Sequence, residues 1–284
     1  MNSSGIDSTY NPIYPPPHLT YVAQITQVTD ALFVCGSSAL RSERLKSKGI
    51  TQVINASFEE PGQIVRLPSD LDYWHIRVDD SPSADISIYF EQVCQRIESV
   101  RLAGGKTVIH CGAGVSRSPS LCLAYLIKTK GKSLHDSFIY LRDLRPIVRP
   151  NIGFWRQLIA YEDKILGSTS VKLLRASEEV ARSINGTVPG EEIPDVYIEV
   201  ADILRQRRAN ASAYLTSPFS GRRPTGSPYQ NSRKYSAYGH WPSGSGSNRN
   251  SVPSKYNGQK YGSGRSSSVF GSFTALCDSL LPDL

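Results

Sequence analysis

Two side chains six positions apart, Cys111 and Arg117, have the types and spacing to do chemistry. Gly112, Ala113, Gly114, Val115 and Ser116 lie between them, and Ser118 follows. Five intervening residues let a loop curl so that successive backbone N–H groups point inward. Such a nest, opening into a helix N-terminus, binds a phosphate dianion. The two glycines relieve steric limits on the curl. Arg117 closes the ring with a planar fork suited to two phosphate oxygens. The same positive field favours a thiolate, because cysteines at helix N-termini or beside cations titrate at roughly 3.5–7.5 instead of about 8.5. Cys111 is therefore expected to be ionised at neutral pH and ready for in-line attack on phosphorus. The competing reading, a plain strand–turn–helix connection with Cys111 as a small core residue, leaves the gap to Arg117 and the serine after it unexplained.

The flanking text supplies the elements that would position this loop. Lys106–His110 reads as a short strand and Gly112–Ser118 as a loop. Pro119 fits the first turn of a helix running to about Lys130, apolar on most sides and so central. Upstream, residues 21–25, 31–34, 51–55 and 73–78 have strand character. Ser37–Lys48 reads as a helix with Gly49 at its C-terminal stop. Asp85 can cap a helix whose apolar positions Phe90, Val93, Cys94, Ile97 and Val100 follow helical spacing. Downstream, Ser133 with Asp136 resembles a capping arrangement for a helix that Pro146 must end. Asn151–Leu166 is a last amphipathic helix. Alternating β and α elements predict an α/β fold, with a central, mostly parallel twisted sheet flanked by helices.

Composition bounds the rest. The chain has 284 residues, 39% of them hydrophobic, and no apolar run long enough to span a membrane. The first twenty residues lack the pattern of a signal peptide. Five widely spaced cysteines without that signal argue for reduced thiols in the cytoplasm or nucleus, not a disulfide framework. No CxxC pair or tight Cys/His cluster suggests a metal. Of the net charge of +7, residues from Arg205 onward hold 11 basic and 2 acidic side chains, so the basic character belongs to the tail. The expected organisation is a flexible lead over 1–18, a catalytic domain over 19–167, an extension packed on it over 168–204, and a disordered Ser/Gly/Tyr-rich tail over 205–284. Phe273–Leu284 is apolar again and could serve as a partner-binding motif.

The run Val108-Ile109-His110-Cys111-Gly112-Ala113-Gly114-Val115-Ser116-Arg117-Ser118-Pro119-Ser120 resembles the signature of the protein tyrosine phosphatase superfamily. With Leu123-Ala124-Tyr125-Leu126 and Arg145-Pro146-Ile147-Val148-Arg149-Pro150-Asn151, it is similar to the small atypical dual-specificity phosphatases, which lack a kinase-docking domain. The resemblance covers roughly Thr20–Leu166 and extends through Ile193-Pro194-Asp195-Val196-Tyr197 in one subgroup. It implies hydrolysis of phosphotyrosine and phosphoserine/phosphothreonine in proteins through a phosphocysteine, without metal or organic cofactor. It implies Asp80 as the general acid, with neighbouring Asp79 as the alternative; close carboxylates beside a phosphate dianion could keep such a donor protonated. Ser118 would donate to the departing Cys111 sulfur, His110 would support the loop and tune Cys111, and Asn151 would bond the loop from behind. Phosphate binding would fall to the loop 112–116 and Arg117. Phosphoproteins, a mitogen-activated protein kinase among them, would be the partners. Reversible inhibition by peroxide is a secondary expectation for so acidic a thiol.

The loop carries no Lys, Arg or His, which disfavours inositol lipids and RNA 5′-triphosphates as substrates. Two rival functions remain open at this point. A phospho-binding pseudoenzyme would have lost Cys111, Arg117 or the acid, and all are present. A tail-driven RNA- or lipid-binding protein would use the interleaved Arg and Tyr residues of 205–270.

Overall fold

The computed structural model of the chain describes residues 21–58, 67 and 71–216. The expected lead, the tail from residue 217 and the apolar stretch 273–284 lie outside those residues. The elements run β1 (Thr26–Gln27), β2 (Leu32–Gly36), a 3₁₀ turn (Ser37–Ala39), α1 (Ser42–Ser47), β3 (Gln52–Asn55) and β4 (Asp72–His75). A second 3₁₀ turn (Ser87–Tyr89), α2 (Phe90–Leu102), β5 (Thr107–Cys111), α3 (Arg117–Lys130), α4 (Leu134–Leu144) and α5 (Ile152–Leu166) follow. Then come β6 (Leu173–Arg175), α6 (Glu178–Ser183), β7 (Glu192–Pro194) and α7 (Val196–Thr216).

The main sheet has the order β1-β2-β5-β3-β4, parallel except for β1, which pairs antiparallel with β2. Its interior strands are buried on both faces, which is why β2 and β5 read as near-continuous apolar runs. Alternation still sorts the side chains. Leu32, Val34 and Ile109 join the larger core with α2–α5, while Phe33, Cys35 and Val108 face Leu45 of α1. Helix α3 is buried from Arg117 to Ile127, the signature of a helix packed on all sides. The cap expected at Ser133 forms, with Oγ accepting from Asp136 N at 3.0 Å; Asp85 does not cap α2 but accepts from Ser87 N at 3.1 Å in the 3₁₀ turn before it, and Asn151 Oδ1 caps α5 by accepting from Phe154 N at 3.0 Å. Gly49 takes φ +68°.

The extension after α5 packs on the same core through Val171, Ile193, Val196 and Tyr197. Its anchor is aromatic. Trp155 meets Phe138 and Tyr197 edge-on at 5.0 and 5.7 Å, and its Nε1 donates to Tyr197 Oη at 3.0 Å.

Four local expectations need correction. The first strand lies at Thr26–Gln27, not at 21–25, where a helical turn stands instead. Pairing with Phe33 and Val34 fixes that register. The helix expected over Ser37–Lys48 is broken: Leu40 and Arg41 are extended, leaving a 3₁₀ turn and α1. Ser37 is held in place by the loop 112–116, and local propensity yields to that contact. Helix α3 begins at Arg117, so Ser118 lies within its first turn and not in the loop. Finally, α7 runs on to Thr216, so 205–216 are helical where disorder was expected. Arg205-Gln206-Arg207-Arg208-Ala209 are good helix formers, and composition hid that behind their charge.

Candidate active site

The site sits at the carboxyl ends of the parallel strands, at β5 in the centre of the sheet, where open α/β sheets place their ligand crevices. Strand β5 delivers Cys111 there, with a residue exposure of 1%. The loop after it is tied from behind at every carbonyl. Gly112 O accepts from Ser37 N at 2.9 Å and Ser37 Oγ at 3.1 Å. Arg145 donates to Ala113 O (Nη2, 3.1 Å) and to Gly114 O (Nε, 2.8 Å). Val115 O accepts from Arg149 N at 2.8 Å, and Ser116 O from Ser120 N at 3.0 Å and Ser120 Oγ at 2.8 Å. In a trans peptide C=O and N–H point opposite ways, so outward-facing carbonyls aim the amides at the concave side. Gly114 N accordingly donates to Cys111 Sγ at 3.3 Å, and Ser118 Oγ donates to the same sulfur at 3.2 Å.

Two glycines make this packing possible. Gly114 has φ +70°, and a Cβ there would sit 2.6 Å from Arg145 Nη2 and from the Cys35 carbonyl. Gly36, ending β2, lies so close to the loop that a Cβ would meet Ala113 C and O and Gly112 O at 2.9 Å.

Arg117, 9% exposed, closes the cup. Its Nη1 donates to Val78 O at 3.3 Å and its Nε stands 3.6 Å from Asp80 Oδ2. The Asp80 carboxylate is further held through Oδ1, by Ser116 Oγ at 2.6 Å and Asn151 Nδ2 at 2.9 Å. Asp79 is exposed and makes none of these contacts. Asn151 thus joins three things: it caps α5, its backbone N donates to Ser116 Oγ at 3.1 Å, and its side chain holds Asp80.

The structure therefore brings Cys111, residues 112–116, Arg117, Ser118, Asp80 and Asn151 to one place. His110 lies behind them, 1% exposed, with Nδ1 at 3.4 Å from Cys111 O and Nε2 without a hydrogen-bond partner among the described residues. Burial, with His75 and Arg117 nearby, pushes its value down to about 4 despite the backbone contact, so it is neutral at pH 7. The other described cysteines differ from Cys111 in kind. Burial pushes Cys35 and Cys94 up to about 12 and Cys122 upward as well, leaving inert core thiols. Among the described residues no group of His, Cys, Asp or Glu could hold a metal ion.

Sequence reasoning gave no role to Gly36, Ser37, Arg145 or Arg149. They lie 31 to 77 positions from the residues they pack against, and spacing carries no sign of such contacts. Arg145 and Arg149 do stand in the run quoted above for its family resemblance.

A sulfur in a cup of inward amides, under a guanidinium, is an anion site built for phosphoryl transfer. The comparisons agree. Residues 32–164 match the family model described as "Dual specificity phosphatase, catalytic domain". The chain is 38% identical over 177 residues to Dual specificity protein phosphatase 14 of Homo sapiens, covering 62% of this chain and 82% of that one. It is 37% identical over 177 residues to Dual specificity protein phosphatase 18 of Homo sapiens, covering 62% and 86%. The chain belongs to the dual specificity protein phosphatase family.

Proposed function

We propose that this phosphatase removes phosphate from tyrosine and from serine or threonine in proteins, through a phosphocysteine formed on Cys111. The observation that carries the reading is the set of five loop carbonyls, Gly112 to Ser116, bonded from behind, with Gly114 N and Ser118 Oγ donating to Cys111 Sγ. Five inward amides and Arg117 can hold three phosphate oxygens in the plane while sulfur attacks along the axis.

In the first step the Cys111 thiolate forms an S–P bond and the ester P–O bond breaks. Asp80 gives its proton to the leaving oxygen. In the second step water attacks phosphorus, Asp80 takes a proton from it, and the sulfur leaves as a thiolate receiving the Ser118 hydrogen bond. Without ligand, Arg117 is paired with Asp80. A phosphate dianion in the cup competes with Asp80 for Arg117. Asp79, facing solvent, has no such link.

Catalysis belongs to residues 19–167 on this reading, with 168–204 as its packed extension. The loop's lack of basic side chains supports singly phosphorylated protein residues over polyphosphates or inositol lipids. Signalling phosphoproteins are the substrate class, a mitogen-activated protein kinase among the candidates. A reducing setting, cytoplasm or nucleus, is the one in which Cys111 persists as a thiol.

The test is turnover of a small aryl phosphate by the wild-type chain and by Cys111→Ser. The serine variant must lose turnover; equal rates would end the phosphatase reading. Asp80→Ala must then lose more kcat than Asp79→Ala, by about 10²–10⁴ if it is the sole acid.

A further inference from the structure

Arg145 is the largest fully buried charged side chain among the described residues, with an exposure of 0%. Its described partners are all neutral. Beyond Ala113 O and Gly114 O, its Nη1 donates to Tyr21 O at 2.8 Å, Gln24 O at 3.3 Å and Thr26 Oγ1 at 3.2 Å. Among the described residues no carboxylate is within salt-bridge distance of it. A buried cation without a counter-ion is costly, so its environment must hold negative charge or gain something from the cation.

Three sulfurs sense this guanidinium: burial pulls Arg145 below its ordinary value, and Cys35, Cys111 and Cys122 each pull it back. Burial keeps the thiols of Cys35 and Cys122 protonated. Of the three, Cys111 is the sulfur that receives hydrogen bonds from the loop and from Ser118.

The covalent geometry gives the route. Arg145 Nη2 donates to Ala113 O, and the N–H of that same peptide unit is Gly114 N–H, which donates to Cys111 Sγ at 3.3 Å. Cation, carbonyl, amide and sulfur form one chain, in which the guanidinium both orients and polarises the amide that faces the sulfur. Arg145 Nε does the same for the next peptide through Gly114 O, aiming Val115 N–H into the cup.

We propose that Arg145 is a positioning residue and the second cation of the site: from beneath the loop it stabilises the Cys111 thiolate through the 113–114 peptide. Arg117 does so from above, facing the phosphate. This inference rests on Cys111 being the nucleophile. The charged and titratable groups around that sulfur are Arg117 on α3, Asp80 on the loop after β4, His110 on β5, Cys35 on β2, Cys122 on α3, and Arg145 after α4.

The test reads the sulfur itself. The rate of Cys111 alkylation by iodoacetamide is followed against pH in the full chain, for wild type, Arg145→Gln and Arg145→Lys. Thermal melting and circular dichroism verify folding, and Cys111→Ser defines the background. The midpoint of the alkylation profile should rise by about one pH unit in Arg145→Gln, the size of effect an opposite charge at close range has. It should rise by less in Arg145→Lys, which keeps the charge but cannot reach both carbonyls. The acid limb of kcat/KM for an aryl phosphate should move with it. A folded Arg145→Gln with the wild-type midpoint overturns the inference. If that variant does not fold, Arg145→Lys decides, and a wild-type midpoint there overturns it equally. Loss of the phosphatase reading would be seen separately, as a wild-type protein inactive on the aryl phosphate whatever its alkylation profile.

Discussion

Asn151 carries two loads that two substitutions can separate. Its Oδ1 caps α5 by accepting from Phe154 N at 3.0 Å, and its Nδ2 holds Asp80 Oδ1 at 2.9 Å. Asn151→Ala removes both. Loss of the cap costs about 1 kcal/mol, or roughly 2–4 °C of melting temperature in a domain of this size. Asn151→Asp keeps the cap, since aspartate caps as well as asparagine. It also sets a carboxylate where Asp80 had a donor, and like charges at that distance push Asp80 away from the mouth of the cup. General acid catalysis is worth about 10²–10⁴, and a displaced acid should forfeit at least about tenfold of it. The loss should be small for an activated leaving group such as p-nitrophenol, and large for phenol or an alkyl alcohol, which need the proton. The assay is kcat for a series of phosphate esters of graded leaving-group pKa, beside thermal melts. The aspartate variant should melt close to wild type while its rates fall most steeply toward poor leaving groups. A flat, wild-type series for Asn151→Asp would refute the role given to this contact. A melting loss equal to that of Asn151→Ala would refute the cap.

Three other outcomes can be checked. A Cβ on Gly36 would meet three backbone atoms of residues 112–113 at 2.9 Å, so Gly36→Ala should displace the loop, lowering kcat/KM by about tenfold or more and stability by about 1–3 kcal/mol; unchanged kinetics would contradict the close packing. A Cβ on Gly153 would collide with the Pro82 carbonyl, so Gly153→Ala should push the segment carrying Asp80 off α5, with kcat for poor leaving groups falling and KM for an aryl phosphate little changed. His110, pushed down to about 4 by burial, binds its proton more weakly folded than unfolded. Its contribution is therefore complete above about pH 6.5 and is lost as the pH falls toward 4, costing about 3 kcal/mol. Urea titrations across that range should show the slope in wild type and its loss in His110→Asn, and an equal slope in both would exclude this histidine as the source.

The nucleophile, the arginine and the phosphate loop were legible in the sequence because all are local: Cys111, Arg117 and Ser118 share one strand–loop–helix unit, where spacing alone determines which groups can converge. The parallel sheet was legible for a related reason, as alternating β and α patterns leave few other arrangements. The acid could be narrowed to two neighbours and no further. Asp79 and Asp80 have the same chemistry one position apart, and Ser116 of the loop, Arg117 at the start of α3 and the α5 cap Asn151 distinguish Asp80. Local signals misled where a tertiary contact outweighed them, as at Ser37, which is held by Gly112 O and breaks a helix its sequence favours. What only the folded chain decided is the support behind the loop. Ser37, Arg145 and Arg149 come from elements far apart in sequence, and a backbone carbonyl that needs a donor leaves no mark on side-chain identity. Sequence names the groups that react, while the three-dimensional packing determines which way the peptide planes between them face.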